Sequence, residues 1–327
     1  MTRYVVIGAG AVGAVVAARL YGIGREVVLV GRPGAHVDAI TAHGLKVVGP
    51  RSTDVVTLPA VSSASDVALT VDDVLLLAVK TQDVEAALRE WAWHRTGDVL
   101  GADLPIVTFQ NGLAAEPAAA RRFGRVYGVT IGIASSYLRA GEVALPSVDP
   151  VGSVWLGRYP SDSDPLADEI VSDLVRADFA ATSVVDITAW KAWKLAFNVA
   201  NALDLFSGDD RLRDAAREQL ADEARRVLRA DGIEAQEVSL AGAPLPVVPG
   251  YERHSSTWQS HARGASSEVE WLNGEVSSRG RRLGVPTPWN DAVVRLLGSA
   301  WGGDLPHLED LATLAARPQT ATEGAPA

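Results

Sequence analysis

The chain has 327 residues, 47% of them apolar, with 30 basic and 40 acidic side chains and a formal net charge of -10. That balance, without any Lys/Arg block, argues against a nucleic-acid partner, and no apolar run approaches the ~20 residues of a membrane span. Cysteine is absent, which excludes disulfides, thiolate nucleophiles and Cys-ligated zinc.

The first residues enter an apolar strand with no basic leader, so a cytoplasmic, metal-free protein is expected. Tyr4–Ile7 reads as a short buried strand. Gly8-Ala9-Gly10-Ala11-Val12-Gly13 follows and opens a helical run from Ala14 to Tyr21. Glu26–Val30 reads as a second strand, Val74–Val79 as a strand covered on both faces, Gln82–Trp91 as a helix and Pro105–Phe109 as another buried strand. This βαβ alternation predicts a doubly wound parallel sheet. Tyr127–Leu156 is strand-rich with Gly and Pro breaks, which suggests an antiparallel extension. A helix is expected over Asp164–Ala177 and a last strand over Ala181–Val185.

Near Asp186 the pattern turns helical. Helices are expected at 188–206, 211–230, 253–282, 288–300 and 306–316, with a loop over Ala241–Gly250. The expected organisation is an α/β dinucleotide-binding domain over 1–185, a helical substrate domain over 186–316, and a disordered tail over 317–327.

Gly8-x-Gly10-x-x-Gly13 sits between a strand and a helix, the context a dinucleotide turn requires. Gly8 permits the tight turn, Gly10 a close approach to pyrophosphate, and Gly13 helix–strand packing. The second strand ends Val30-Gly31-Arg32 with no acidic residue. A guanidinium there suits a 2′-phosphate, so NADPH is expected over NADH. Lys80 and Gln110-Asn111-Gly112 end two further strands, on the edge where open α/β sheets bind ligands.

Only four basic residues are lysine: Lys46, Lys80, Lys191 and Lys194. Lysine differs from arginine in being able to give up its proton when desolvated. At ~100° per residue, Lys191, Lys194, Asn198 and Asn201 share one arc of about 80°. Such a polar stripe suits a cleft wall. Further along, Ser266 or Ser267 can cap a helix whose first turn holds Glu268 and Glu270.

Together these motifs resemble the ketopantoate reductase (2-dehydropantoate 2-reductase) family. The likeness spans roughly residues 3–300. It includes the glycine turn, Arg32, Val79-Lys80-Thr81, Gln110-Asn111-Gly112, Trp193-Lys194-Leu195-x-x-Asn198, Ser255-Ser256, Ser267-Glu268-x-x-x-Leu272-Asn273-Gly274, and Gly284-Val285-Pro286-x-Pro288-x-Asn290. The resemblance implies a Rossmann-like domain followed by an all-helical domain like the C-terminal domain of 6-phosphogluconate dehydrogenase. It also implies NADPH-dependent reduction of a small 2-oxo acid, in the family's case ketopantoate to pantoate. Carried over, Lys194 is the catalytic acid and Glu268 its orienting partner. Asn111, Asn198 and Ser256 hold substrate, and Asn201, one position before the family's second asparagine, is expected to join them. Gly8 to Gly13, Arg32, Lys80 and Asn111 hold cofactor. No role falls to Lys191. A homodimer is left open.

Two positions depart from the family pattern. Ala202 stands where a second asparagine is usual, and Ser260, followed by His261, stands where an aspartate is usual. A different 2-oxo acid, an imine substrate, or a non-catalytic NADP(H)-binding protein are the alternatives.

Overall fold

The run Tyr4-Val5-Val6-Ile7 has no polar face, and in the computed structural model of the chain it forms the middle of a sheet. The structure describes residues 2–147, 149–162, 164–236, 248, 255–262, 264, 268–299 and 304–317. Two compact units result: Met1–Lys194 together with Gln236–Arg253, and Leu195–Ala235 together with His254–Ala327.

In the first unit, β1 (Arg3–Ile7) leads through the glycine turn into α1 (Ala11–Gly22), and β2 (Glu26–Val30) leads to α2 (Ala35–His43). Three short strands follow: β3 (Leu45–Val48), β4 (Thr53–Val56) and β5 (Ala60–Val61). Next, β6 (Asp73–Leu77) gives way to a 3-10 turn over Thr81–Asp83 and then α3 (Val84–Trp93). A small hairpin, β7 (Arg95–Thr96) and β8 (Val99–Leu100), precedes β9 (Ile106–Thr108), α4 (Ala115–Ala120) and β10 (Val126–Gly132). The hairpin β11 (Ser136–Arg139) and β12 (Glu142–Ala144), then β13 (Ser153–Arg158), α5 (Pro165–Arg176) and β14 (Ala180–Ser183) complete the sheets; α6 (Ile187–Asn198) follows, and the chain passes to the second unit within it, after Lys194.

Eight strands make one sheet in the order β14-β13-β10-β9-β6-β1-β2-β5. From β5 through β10 every pairing is parallel. β13 runs antiparallel to β10 and carries β14 parallel beside it, which is the expected extension. Alternate residues of the central strands serve opposite faces. Tyr4, Val6 and Leu76 join one core with α1 and α5, while Val5, Ile7, Leu75 and Leu77 join another with α3 and α4. A strand buried on both sides has to be apolar at every position, which is why these runs carry no alternation.

A second sheet, β11-β12-β3-β4, and helix α2 do not follow from the sequence reading. In α2 only Val37 and Ile40 are buried, too few to mark a period.

The helical unit holds α7 (Asp210–Ala230), α8 (Ser256–Ala262), α9 (Val269–Leu283), α10 (Pro288–Ser299) and α11 (Leu308–Ala315). The side chain of Asp209 accepts the N–H groups of Arg211 and Leu212 and starts α7. Gly284, at φ 69°, ends α9 in the left-handed conformation. Buried Glu223 of α7 accepts three N–H groups at the start of α10: those of Trp289, the Asn290 backbone and the Asn290 side chain. Two expected helices are divided. The run 188–206 is α6 followed by a 3-10 segment, Val199–Leu205. The run 253–282 is α8 and α9, with a turn at Gly264, φ 63°, between them. Residues 318–327, most of the expected tail, and Ser266 and Ser267, the expected cap, lie outside the described residues. Among the described residues no helix is long and apolar enough to cross a membrane.

Candidate functional site

Three adjacent parallel strands, β9, β6 and β1, end on one edge of the large sheet. Asn111, Lys80 and the glycine turn follow them. Gly8 takes φ 115°, and its N–H donates to the Val30 carbonyl, tying the end of β1 to β2. A Cβ there would lie 2.7 Å from the Ala78 carbonyl carbon, and one on Gly13 would lie 2.0 Å from the Gly8 oxygen. Both glycines are therefore required by packing inside the protein. Gly10 differs: a Cβ there would meet nothing within 4 Å.

Gly10 is the exposed N-cap of α1 and has no side chain to satisfy the first-turn N–H groups; no acidic residue sits in that turn. The N–H groups of Ala11, Val12 and Gly13 are thus left to an anion. The residues present fit the pyrophosphate of a dinucleotide.

At the end of β2, a Cβ on Gly31 would lie 2.5 Å from a Val37 methyl and 2.9 Å from the Ala9 Cβ. Arg32, next in the chain, is exposed, and no hydrogen bond or ion pair engages it among the described residues. Its guanidinium is available to a phosphate.

At the next strand end, Lys80 is half-buried and is the N-cap of the 3-10 turn. Gln110 is buried and its amide donates to both the Leu77 and Val79 carbonyls, 2.9 Å each, which stitches the end of β9 to the end of β6. Asn111 is half-buried and makes no hydrogen bond to the described residues. Gly112, at φ 81°, turns the chain immediately after it.

On α6, Lys191 and Lys194 differ sharply. Lys191 is 3% exposed and points into its own unit, where its ammonium lies 2.7 Å from the Gln110 carbonyl oxygen and 2.7 Å from the Glu116 carboxylate. It therefore does not belong to a cleft-lining stripe. Helix α6 packs one face on the sheet, and Lys191 falls on that face. Lys194, three residues on, is half-buried. Trp190 and Trp193 pack against Trp155 of β13, the first stacked at 4.9 Å between ring centroids.

In the helical unit, Asn198 is buried and accepts a hydrogen bond from the Asn201 amide at 3.4 Å. The 3-10 geometry after Asn198 eclipses positions three apart and brings the two amides together. The Ser255 hydroxyl donates to the Asn201 carbonyl at 3.3 Å and accepts the Trp258 N–H. Ser256 opens α8. Glu268 is buried and is the N-cap of α9 rather than part of its first turn, yet its side chain does not cap that helix. A buried carboxylate of this kind needs a donor or cation elsewhere. Asn273, part of the same motif, is structural: its amide donates to the Val199 carbonyl and to Asn290, 3.0 Å each.

Sequence reasoning missed two features. One is the Glu116–Lys191–Gln110 network; its signal was a lysine retained in an arginine-rich chain. The other is His36, whose ring bonds to the Ala9 carbonyl inside the glycine turn.

A family model described as Ketopantoate reductase PanE/ApbA matches residues 4–161, and one described as Ketopantoate reductase PanE/ApbA C terminal matches residues 186–300. The 2-dehydropantoate 2-reductase of Pyrococcus horikoshii is 24% identical over 310 residues, covering 91% of this chain and 98% of the relative. The PanE/ApbA family ketopantoate reductase of Ralstonia eutropha JMP134 superposes with a TM-score of 0.75 at 24% identity, covering 91% of this chain and 98% of that one. A ternary structure of D-mandelate dehydrogenase with NADH and anilino(oxo)acetate shares the fold, with a TM-score of 0.74 at 19% identity over 96% of this chain and 99% of that one.

Proposed function

We propose, for a chain that belongs to the ketopantoate reductase family, that this oxidoreductase uses NADPH to reduce 2-dehydropantoate to pantoate. The adjacent strand ends that carry Gly8–Gly13, Lys80 and Asn111 are the observation that supports it most. The first turn of α1 binds the pyrophosphate, and Arg32 pairs with the 2′-phosphate. Lys80 lies on the cofactor side, and Asn111 holds both cofactor and substrate.

When bound, the reduced nicotinamide supplies a hydride to the ketone carbon. Negative charge then builds on the ketone oxygen. Lys194 stabilises that charge as an ammonium and donates the proton that makes the hydroxyl. Glu268 orients the Lys194 side chain and keeps it protonated. Asn198, Asn201 and Ser256 supply neutral donors for the substrate carboxylate, groups that bind without reacting.

A panel of 2-oxo acids with NADPH, followed at the nicotinamide absorbance, tests this reading. The highest kcat/KM is expected for 2-dehydropantoate. NADPH binding without oxidation across the panel would instead identify a non-catalytic binding protein. A second reading, another 2-oxo acid, is favoured by Ala202. It is buried and offers no amide where the family's second asparagine usually stands. A larger kcat/KM for another member of the panel would select it.

A further inference from the structure

Beneath the Asn111 turn lies a buried ion pair with no place in the chemistry above. Glu116 of α4 and Lys191 of α6 are both buried, 2.7 Å apart. The carboxylate also accepts the Thr108 hydroxyl at 2.5 Å. The ammonium donates to the Gln110 carbonyl at 2.7 Å and, more weakly, to the Val129 carbonyl at 3.4 Å. Position 128 is glycine, and a Cβ there would lie 3.3 Å from the Glu116 side chain. The sheet has thus left room for a charge.

Such a pair is weak evidence for stability, because two apolar side chains of similar volume serve a core as well. What distinguishes it is direction. Its partners converge on one short segment, from Thr108 at the end of β9 to the Gln110 carbonyl. A peptide unit is planar, so holding the Gln110 oxygen also sets the direction of the Asn111 N–H on the opposite edge. The Gln110 amide, bonded to Leu77 and Val79, fixes the same segment from the side.

We infer that the buried Lys191–Glu116 pair is a positioning device that holds the Gln110–Asn111 peptide and so presents Asn111 to cofactor and 2-oxo acid in one orientation. This rests on the reductase function proposed above. Lys191 and Glu116 touch neither ligand; they act through Asn111.

The test is a cycle on the full-length protein, combining the apolar pair Lys191→Met with Glu116→Leu, and Asn111→Ala. Replacing the pair is expected to lower kcat about tenfold or more while Asn111 is present, since small misplacements of a substrate-holding group are costly. With Asn111 already removed, the same replacement is expected to cost less than about twofold. An unchanged kcat in the first background, or an equal loss in both, overturns the inference. If the apolar pair prevents folding, Glu116→Gln, which keeps the size and an acceptor oxygen, takes its place with the same two expectations. Hydrogen exchange of the amides at 109–113, read without substrate, is expected to accelerate when the pair is replaced. That result, in a protein whose wild type turns over no 2-oxo acid, would leave the positioning role standing while the reductase reading fails. Unchanged exchange overturns the positioning role, whatever the wild type reduces.

Discussion

The Nε2 of His36 lies 2.8 Å from the carbonyl oxygen of Ala9, in the middle of the glycine turn. The other ring nitrogen, Nδ1, accepts the Gly141 N–H at 2.9 Å. Only the neutral ring with its proton on Nε2 satisfies both neighbours. Burial holds His36 below the ordinary histidine pKa, opposed by the hydrogen bond to Ala9. The unfolded chain therefore takes up the proton first as pH falls below about 6.5. Stability linked to His36 is complete above that point and is lost as pH drops through the folded-state value. Melting curves from pH 5 to 8 are expected to show this decline in wild type and a shallower one in His36→Gln. Parallel curves would remove His36 as its source.

Gly10 and Gly13 separate binding from folding. Gly13→Ala forces a methyl against the Gly8 oxygen, an overpacking cost of about 1–3 kcal/mol. A fall in Tm of several degrees is expected from that cost. Gly10→Ala meets no protein atom, so Tm is expected to stay near wild type while NADPH affinity drops about tenfold or more. Normal NADPH binding by Gly10→Ala, in a fluorescence titration, would mean that the first turn of α1 is not the pyrophosphate site.

Arg32→Ala is expected to weaken NADPH by about tenfold or more and NADH by no more than a few-fold, because only NADPH carries the 2′-phosphate. The side chain is exposed and holds nothing in place, so Tm is expected not to move. Equal losses for both cofactors would refute the assignment.

Lys194→Ala is expected to lower turnover by ~10²-fold or more, the scale of a lost general acid and charge stabiliser. Lys194→Arg is expected not to restore it, because guanidinium keeps its proton. Glu268→Gln is expected to reduce kcat while NADPH affinity stays within a few-fold. Full activity in Lys194→Arg would make residue 194 a fixed charge, with water as the proton source.

The glycine turn was legible because its requirements fall on residue identity: a side chain at 8 or 13 collides with backbone, whatever the rest of the fold does. The central strands were legible because burial on both faces leaves no polar position. The polar stripe on α6 was misjudged at Lys191, while Asn198 and Asn201 do come together. A uniform period of 3.6 hides the tightening after Asn198, and the period cannot say which face meets the sheet. Lys191 lies on that inward face, against the Gln110 carbonyl and the Glu116 carboxylate. Glu116 gave less warning still. It sits in a six-residue, alanine-rich helix, where one carboxylate reads as a surface charge until its ammonium partner, 75 positions away, is folded against it.

Gly31 constrains how the cofactor preference of this lineage can change. A switch toward NADH by placing a carboxylate at position 31 would drive its Cβ into Val37 and Ala9, and so into the first turn of α2 and the glycine loop itself. Position 32 carries no such penalty. On the NADPH reading proposed above, selection, or an engineer, has a narrow gate: substitutions at residue 32 are expected to exchange one nicotinamide cofactor for the other in a single step, while the neighbouring position demands that both Val37 and Ala9 give way before a side chain is tolerated.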